Sequence, residues 1–138
     1  MKKGVISIVC IAAVLLVLLF FRFHKSDDSA LVKTCLDINS EIKDADFFTA
    51  YLDEDGIRLL DREDNLLEVI TYEGYKKESS IQPIRKEDSR IFFITSRVVD
   101  DEDGYIIFND SSAINLDSLN QLERRGHNIY KYSTVATW

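Results

Sequence analysis

The chain has few of the residues that usually build covalent, metal-binding or phosphate-binding sites. Among its 138 residues are two cysteines, two histidines, five glycines and one proline. Cys10 lies in an apolar run and Cys35 stands alone in the rest of the chain, which excludes a disulfide within that part. No H-E-x-x-H, C-x-x-C, G-x-S-x-G or glycine-rich phosphate loop occurs. We therefore assign no catalytic residue and expect a protein that is not an enzyme and binds no cofactor.

The first part of the chain contains a long apolar run. It reads "GVISIVCIAAVLLVLLFFRF", and a helix of that length, at ~1.5 Å per residue, matches the ~30 Å hydrocarbon core of a bilayer. A cleavable signal peptide needs a shorter apolar region and small residues at its cleavage site, whereas this run ends in "FFRFHK". We therefore predict an uncleaved, single-pass membrane anchor in residues 1–25, with its transmembrane helix at about 4–23, in the plasma membrane.

The distribution of charge predicts an orientation and excludes one class of partner. Lys2 and Lys3 precede the apolar run, so the positive-inside rule favours a cytoplasmic N-terminus and a C-terminal domain outside, although Arg22 and Lys25 follow the run. All 24 acidic residues and 13 of the 17 basic ones lie after Lys25, which gives that part a net charge of −11. Such a surface repels nucleic acid and favours cationic or divalent partners. The expected partners are the lipid bilayer, through the N-terminal helix, and another protein.

Residues 26–46 predict an amphipathic helix beside the membrane. Apolar residues recur at i, i+4, i+7 and i+11, which indicates a helix over 29–43 with one face available for packing. The serines and aspartates of 26–29 favour a new helix start after a hinge, and one continuous helix from the anchor is the alternative. The position of Cys35 on the apolar stripe predicts a buried thiol. The stripe consists of Leu31, Cys35, Ile38 and Ile42.

From Phe47 onward the pattern changes to short runs rich in β-branched and aromatic residues, separated by polar turns. Two of these runs, Ile91–Ile94 and Tyr105–Phe108, are apolar at consecutive positions, which predicts strands covered on both faces. We therefore predict that residues 47–138 form an antiparallel sheet domain. Its predicted strands are 47–52, 57–61, 66–72, 90–99, 105–109 and 127–135.

Two further segments complete the predicted fold. The polar stretch 73–89 predicts a solvated loop, and leucines at three-residue spacing before Gly126 predict a short helix at 116–125. The fold class is therefore predicted to be α+β. It has an N-terminal single transmembrane helix followed by a small antiparallel sheet of about six strands with one or two packed helices.

The acidic turns at 53–56 and 100–104 are the strongest candidates for a chemical site. With Gly104 at the sixth position of a calcium-binding EF-hand loop, the first position is Val99, which has no side-chain oxygen. The flanking residues are β-branched and aromatic, as in a hairpin, so we interpret both segments as turns, with positive φ at Gly104, and assign no metal site. The calcium alternative would use Asp101, Asp103 and Asp110.

These observations favour a non-enzymatic interaction or accessory module, anchored in the membrane, with an acidic extracytoplasmic domain. A tether would raise the effective concentration of such a module near membrane-bound partners. The first alternative is a calcium-responsive membrane-anchored domain that uses the turns at 53–56 and 100–104. The second is a small carboxylate-dependent hydrolase, although a domain of about 110 residues leaves little volume for a substrate cleft of ~300 Å³ or more.

Overall fold

The computed structural model describes residues 10–19, 28–74, 81, 83–110 and 121–134. The chain divides into two compact units, Met1–Ala30 and Leu31–Trp138. In the first unit, residues 10–19 form helix α1, whose side chains are exposed.

The predicted membrane anchor is contradicted by the helices of this structure. Within the described ranges, no helix combines the length and the apolar character that crossing a bilayer requires. The transmembrane helix predicted at 4–23 is therefore wrong for the described residues, and so is the single-pass plasma-membrane location derived from it. Residues 4–9 and 20–23 of that prediction lie outside the described residues.

An eight-stranded antiparallel sheet forms most of the second unit, in the order β3-β2-β1-β4-β5-β6-β8-β7. The predicted fold class is therefore wrong: the described residues form eight strands and two helices, and neither helix, as far as it is described, is long and apolar enough to cross a membrane. Each of the six predicted strand segments overlaps an observed strand. The strands are β1 (Thr49–Asp53), β2 (Gly56–Leu60), β3 (Leu66–Ile70), β4 (Ile84–Glu87), β5 (Arg90–Val98), β6 (Asp101–Phe108), β7 (Gln121–Arg124) and β8 (Ile129–Ser133).

The two additional strands lie where we predicted a loop and a helix. In β4, Ile84 is the one apolar residue, and it is buried, whereas the next three side chains are half-buried. Such a mostly polar strand forms because it pairs with β1 and β5 on both sides. In β7, pairing with β8 places Leu122 opposite Tyr132, so tertiary contacts override the helical leucine spacing. The helix prediction is wrong for 121–124, and residues 116–120 lie outside the described residues.

Helix α2, Ser29–Ile42, packs against the sheet with the face that its apolar stripe predicts. Cys35, Ile38 and Ile42 are fully buried, which confirms the buried thiol. Complete burial of a large aliphatic side chain contributes ~1.5–3 kcal/mol, so this stripe is enough to hold α2 against the sheet. The sheet residues of this main core include Ala50, Leu52, Ile57, Leu59, Ile84, Ile91, Phe93, Tyr105, Ile107 and Ile129.

The central strands β5 and β6 are buried on both faces, as their continuous apolar runs predict. Phe93 and Tyr105 point into the main core beneath α2. Alternate residues of the same strands, together with β8, form a second cluster on the opposite face. Rings in this cluster meet edge to face, with centroids 5.6 Å apart for Phe92 and Tyr132. The second cluster consists of Phe92, Ile106, Phe108 and Tyr132.

Gly104 does not lie in the turn where we placed it. The β5–β6 hairpin turns at Val99 and Asp100, and Val99 itself has a positive φ of 54°. Gly104 is a buried residue of β6, opposite Ile94, and its φ lies outside the left-handed region. The prediction of positive φ at Gly104 is therefore wrong. The glycine is needed for space, because a Cβ there would lie 2.2 Å from the carbonyl oxygen of Phe93.

Candidate interaction surface

The three candidate calcium ligands are distributed along β6 and do not converge. Asp101 and Asp103 lie near the start of the strand, and Asp110 follows its end. At ~3.3 Å per residue, Asp103 and Asp110 are separated by roughly 20 Å, far beyond a shared coordination sphere. In the described part of the chain, no three His, Cys, Asp or Glu residues form a group that could hold a metal ion.

The first acidic turn, 53–56, is held together by its own residues. The Asp53 carboxylate accepts a hydrogen bond from the Asp55 amide at 2.8 Å and another from the Arg58 guanidinium. Arg58 also donates to the Asp55 carboxylate at 3.0 Å. The hydrogen bond from Arg58 lowers the pKa of Asp53 below its ordinary value. These contacts make the turn a local structural device, with Gly56 supplying a φ of 132°.

A buried polar cluster lies on the second face of the sheet, around Glu102. Arg85 donates to both carboxylate oxygens, at 3.2 and 3.3 Å, and Arg97 lies 3.2 Å from one of them. The Tyr132 hydroxyl donates at 2.5 Å, and the Glu102 side chain is only 8% exposed. Burial, followed by the hydrogen bond to Glu102, raises the pKa of the Tyr132 phenol far above its ordinary range. The Arg85 guanidinium also lies over the Phe92 ring, 4.7 Å from its centroid.

This cluster joins strands rather than presenting a reactive carboxylate. Each oxygen of Glu102 already accepts hydrogen bonds or ion-pair contacts from two donors. The participating side chains come from β4, β5, β6 and β8, so the cluster fixes four neighbouring strands. The cluster was not predicted from the sequence, because Glu102 sits among three exposed or half-buried acidic neighbours in "DDEDG". The signal was the period of two along β6, which places residue 102 on the same face as Ile106 and Phe108.

A cleft of about 420 Å³ opens at one end of the sheet, where β1 and β3 begin. Both cations in its wall are already engaged with aromatic rings: Arg62 lies 5.2 Å from the Phe48 centroid and Lys86 lies 5.5 Å from that of Phe47. Lys86 also donates to two backbone carbonyls. In the cleft, carboxylates therefore outnumber the cations that remain available to a ligand. Its lining consists of Asp46, Phe47, Phe48, Asp61, Arg62, Leu67, Lys86 and Asp88.

Strand β3 forms one edge of the described sheet. Three of its apolar side chains are more exposed than that of Leu122 on β7, the strand at the opposite edge. Leu66 and Leu67 are each 52% exposed, and Val69 is 42% exposed. Among the described strands, β3 pairs with β2 alone. On the sheet face opposite α2, Val69 of β3 is the cross-strand neighbour of Arg58 in β2. Arg58 is in turn the cross-strand neighbour of Tyr51 in β1. This edge is continuous with the cleft, because Leu67 contributes to both.

The opposite edge, β7, has a different surface. Its sequence is "QLER", with exposed Glu123 and Arg124, and Leu122 is half-buried against the second cluster. Charged side chains are a common protection of edge strands against pairing with other chains. The sequence predicted residues 66–72 to be a strand, but strand order is not a local property, so it did not show that β3 is outermost.

No protein-family model, curated protein or solved structure matches this chain. The candidate surface is therefore defined by the geometry of the β3 edge and the adjoining cleft.

Proposed function

We propose that this protein is a non-enzymatic interaction module that adds an extended segment of a partner protein to its β3 edge. In β-strand addition, the backbone groups of an exposed edge provide affinity, and alternate side chains provide specificity. The observation that carries the proposal is the exposure of Leu66, Leu67 and Val69 on an outermost strand. A long apolar edge is otherwise a liability for aggregation, and natural proteins usually cover or charge such edges.

The strand next to β3 supports the proposal because it is firmly held. Ile57 and Leu59 of β2 are buried in the main core, so β3 is attached to a preformed part of the sheet. Burying the exposed halves of three aliphatic side chains would contribute about 2–4 kcal/mol, before the costs of association. A free energy of this size suits a reversible interaction, in which backbone hydrogen bonds to the added strand supply the remaining affinity.

A charge placed on the edge tests the proposal. We expect Val69→Lys in the full chain to weaken partner binding strongly, because lysine on an edge opposes strand pairing. The matched control is Val98→Lys, since Val98 is also an exposed strand valine, 66% exposed, but lies on β5.

The readout is selection of short random peptides on the wild-type chain, followed by titration of the selected peptides against both variants. Amide hydrogen exchange with a bound peptide should show new protection in β3. Peptides that bind both variants equally, without protecting β3, would place the binding surface elsewhere and contradict the proposal.

A further inference from the structure

The charge at the centre of β3 restricts what can pair with it. Glu68 is exposed, and it is the single charged residue of "LLEVI". On an adjacent antiparallel strand, the directly opposite residue has its Cβ about 4.5–5.5 Å away, within reach of an ion pair. A strand that covers β3 therefore meets one carboxylate between apolar side chains.

A second copy of this chain meets that requirement poorly. In the antiparallel register that pairs all five residues of β3 with those of another β3, Glu68 faces its own equivalent. Like charges directly opposite each other destabilise a strand pair, whereas opposite charges stabilise it. The edge is thus better matched to a segment whose central residue is basic.

The surroundings of β3 reinforce this preference. Arg58, the one basic residue of β2, already forms ion pairs with Asp53 and Asp55. The adjoining cleft contains Asp46 and Asp88, both exposed, and its two cations lie over aromatic rings. The chain as a whole has a net charge of −7. A cationic segment therefore meets exposed carboxylates at the centre of β3 and in the adjoining cleft.

We infer that the partner segment of β3 is an extended, cationic peptide of another protein, with a lysine or arginine opposite Glu68 and apolar residues on both sides of it. This inference rests on the proposed function, because it names the chemistry of the strand that β3 accepts.

Two synthetic peptides test the inference at low ionic strength. One is acetyl-Thr-Val-Val-Lys-Val-Val-Thr-amide, and the other has glutamate in place of lysine. We expect the full chain to bind the lysine peptide roughly threefold to thirtyfold more tightly than the glutamate peptide. In Glu68→Lys the preference should invert, and in Glu68→Gln it should nearly disappear. Val69→Lys should weaken both peptides, and Val98→Lys should weaken neither.

The other outcomes separate this inference from the proposed function. If both peptides bind equally to all Glu68 variants but lose affinity in Val69→Lys, the edge accepts a strand without selecting charge, and the inference fails alone. Self-association of the chain that Val69→Lys abolishes would identify a second copy as the occupant and overturn the inference. If neither peptide binds the wild-type chain, both the inference and the proposed function lose their support.

Discussion

Replacing Gly104 with alanine measures how closely β5 and β6 approach each other in the centre of the sheet. An added Cβ would lie 2.2 Å from the Phe93 carbonyl oxygen and 3.0 Å from its carbonyl carbon. These are backbone atoms between two buried strands, so the strands themselves must move. Overpacking of this kind typically costs ~1–3 kcal/mol, out of a total stability of ~5–15 kcal/mol. We expect Gly104→Ala to lower the free energy of unfolding by about 1–3 kcal/mol, and Gly104→Val to lower it further.

Urea unfolding of Gly104→Ala and Gly104→Asn separates this steric requirement from a conformational one. A left-handed position tolerates asparagine better than alanine, whereas a crowded position penalises the larger side chain more. Alanine should therefore be the less damaging of the two. The control is Gly74→Ala, because an added Cβ at this exposed residue would meet only the end of the Tyr72 side chain. The reasoning would be refuted by an asparagine variant that is more stable than the alanine variant.

The remaining predictions concern the buried polar cluster and the acidic turn. Glu102→Ala leaves the buried Tyr132 hydroxyl and the partly buried Arg85 guanidinium without their carboxylate, so it should lower the free energy of unfolding by up to about 3–5 kcal/mol. Glu102→Gln should cost less, and equal urea midpoints for the two variants would contradict this. Tyr132 keeps its proton when folded, because its pKa is raised above the ordinary 10.0. The unfolded state releases that proton, so stability should fall above about pH 10, by up to ~1.4 kcal/mol per pH unit. Tyr132→Phe should make that slope shallower, whereas Tyr130→Phe should leave it unchanged; Tyr72, whose pKa is also raised by burial, supplies the slope that remains. Millimolar calcium should leave the Tm nearly unchanged; a rise of many degrees that Asp103→Ala abolishes would restore the calcium hypothesis.

The parts of the fold that could be predicted from the sequence are those with a single clear period. In α2, the i, i+3, i+7 spacing of Cys35, Ile38 and Ile42 fits a helix with one buried face and does not fit the period of a strand. The consecutive apolar residues of β5 and β6 likewise require cover on both faces, and the structure supplies two clusters. In these elements, the apolar pattern within the element itself is enough to predict which side chains are buried.

The parts that could not be predicted depend on distant partners. Pairing with β8 makes residues 121–124 a strand although their leucine spacing fits a helix. Likewise, β4 carries three charged residues in a row, and two neighbouring strands hold it in the sheet. The difference in free energy between local helix and strand propensities is smaller than the stabilisation that strand pairing contributes. Tertiary contacts therefore determine the secondary structure of these residues. At Gly104 the sequence indicated a special backbone position, but the reason is the close approach of Phe93 rather than a turn.

In the acidic run "DDEDG", neighbouring acidic residues have different roles. Asp101 is exposed near the hairpin tip, whereas the next residue, Glu102, is buried and holds two arginines and a tyrosine. The alternation of a strand produces this division, since successive side chains point to opposite faces. A charge count over the whole segment therefore overstates the acidity of its surface. The carboxylates that remain exposed are available for solubility or for a cationic partner.

The two edges of the sheet differ in a way that bears on the proposed function. Exposed Glu123 and Arg124 on β7 present both signs of charge, which opposes pairing with most strands. Glu68 places a single negative charge at the centre of β3 between large apolar residues. One central charge opposes an identical strand in the fully overlapping register but stabilises a strand of opposite charge. An edge with this pattern discriminates between partners rather than excluding all of them, which is the property that a strand-accepting interaction module requires.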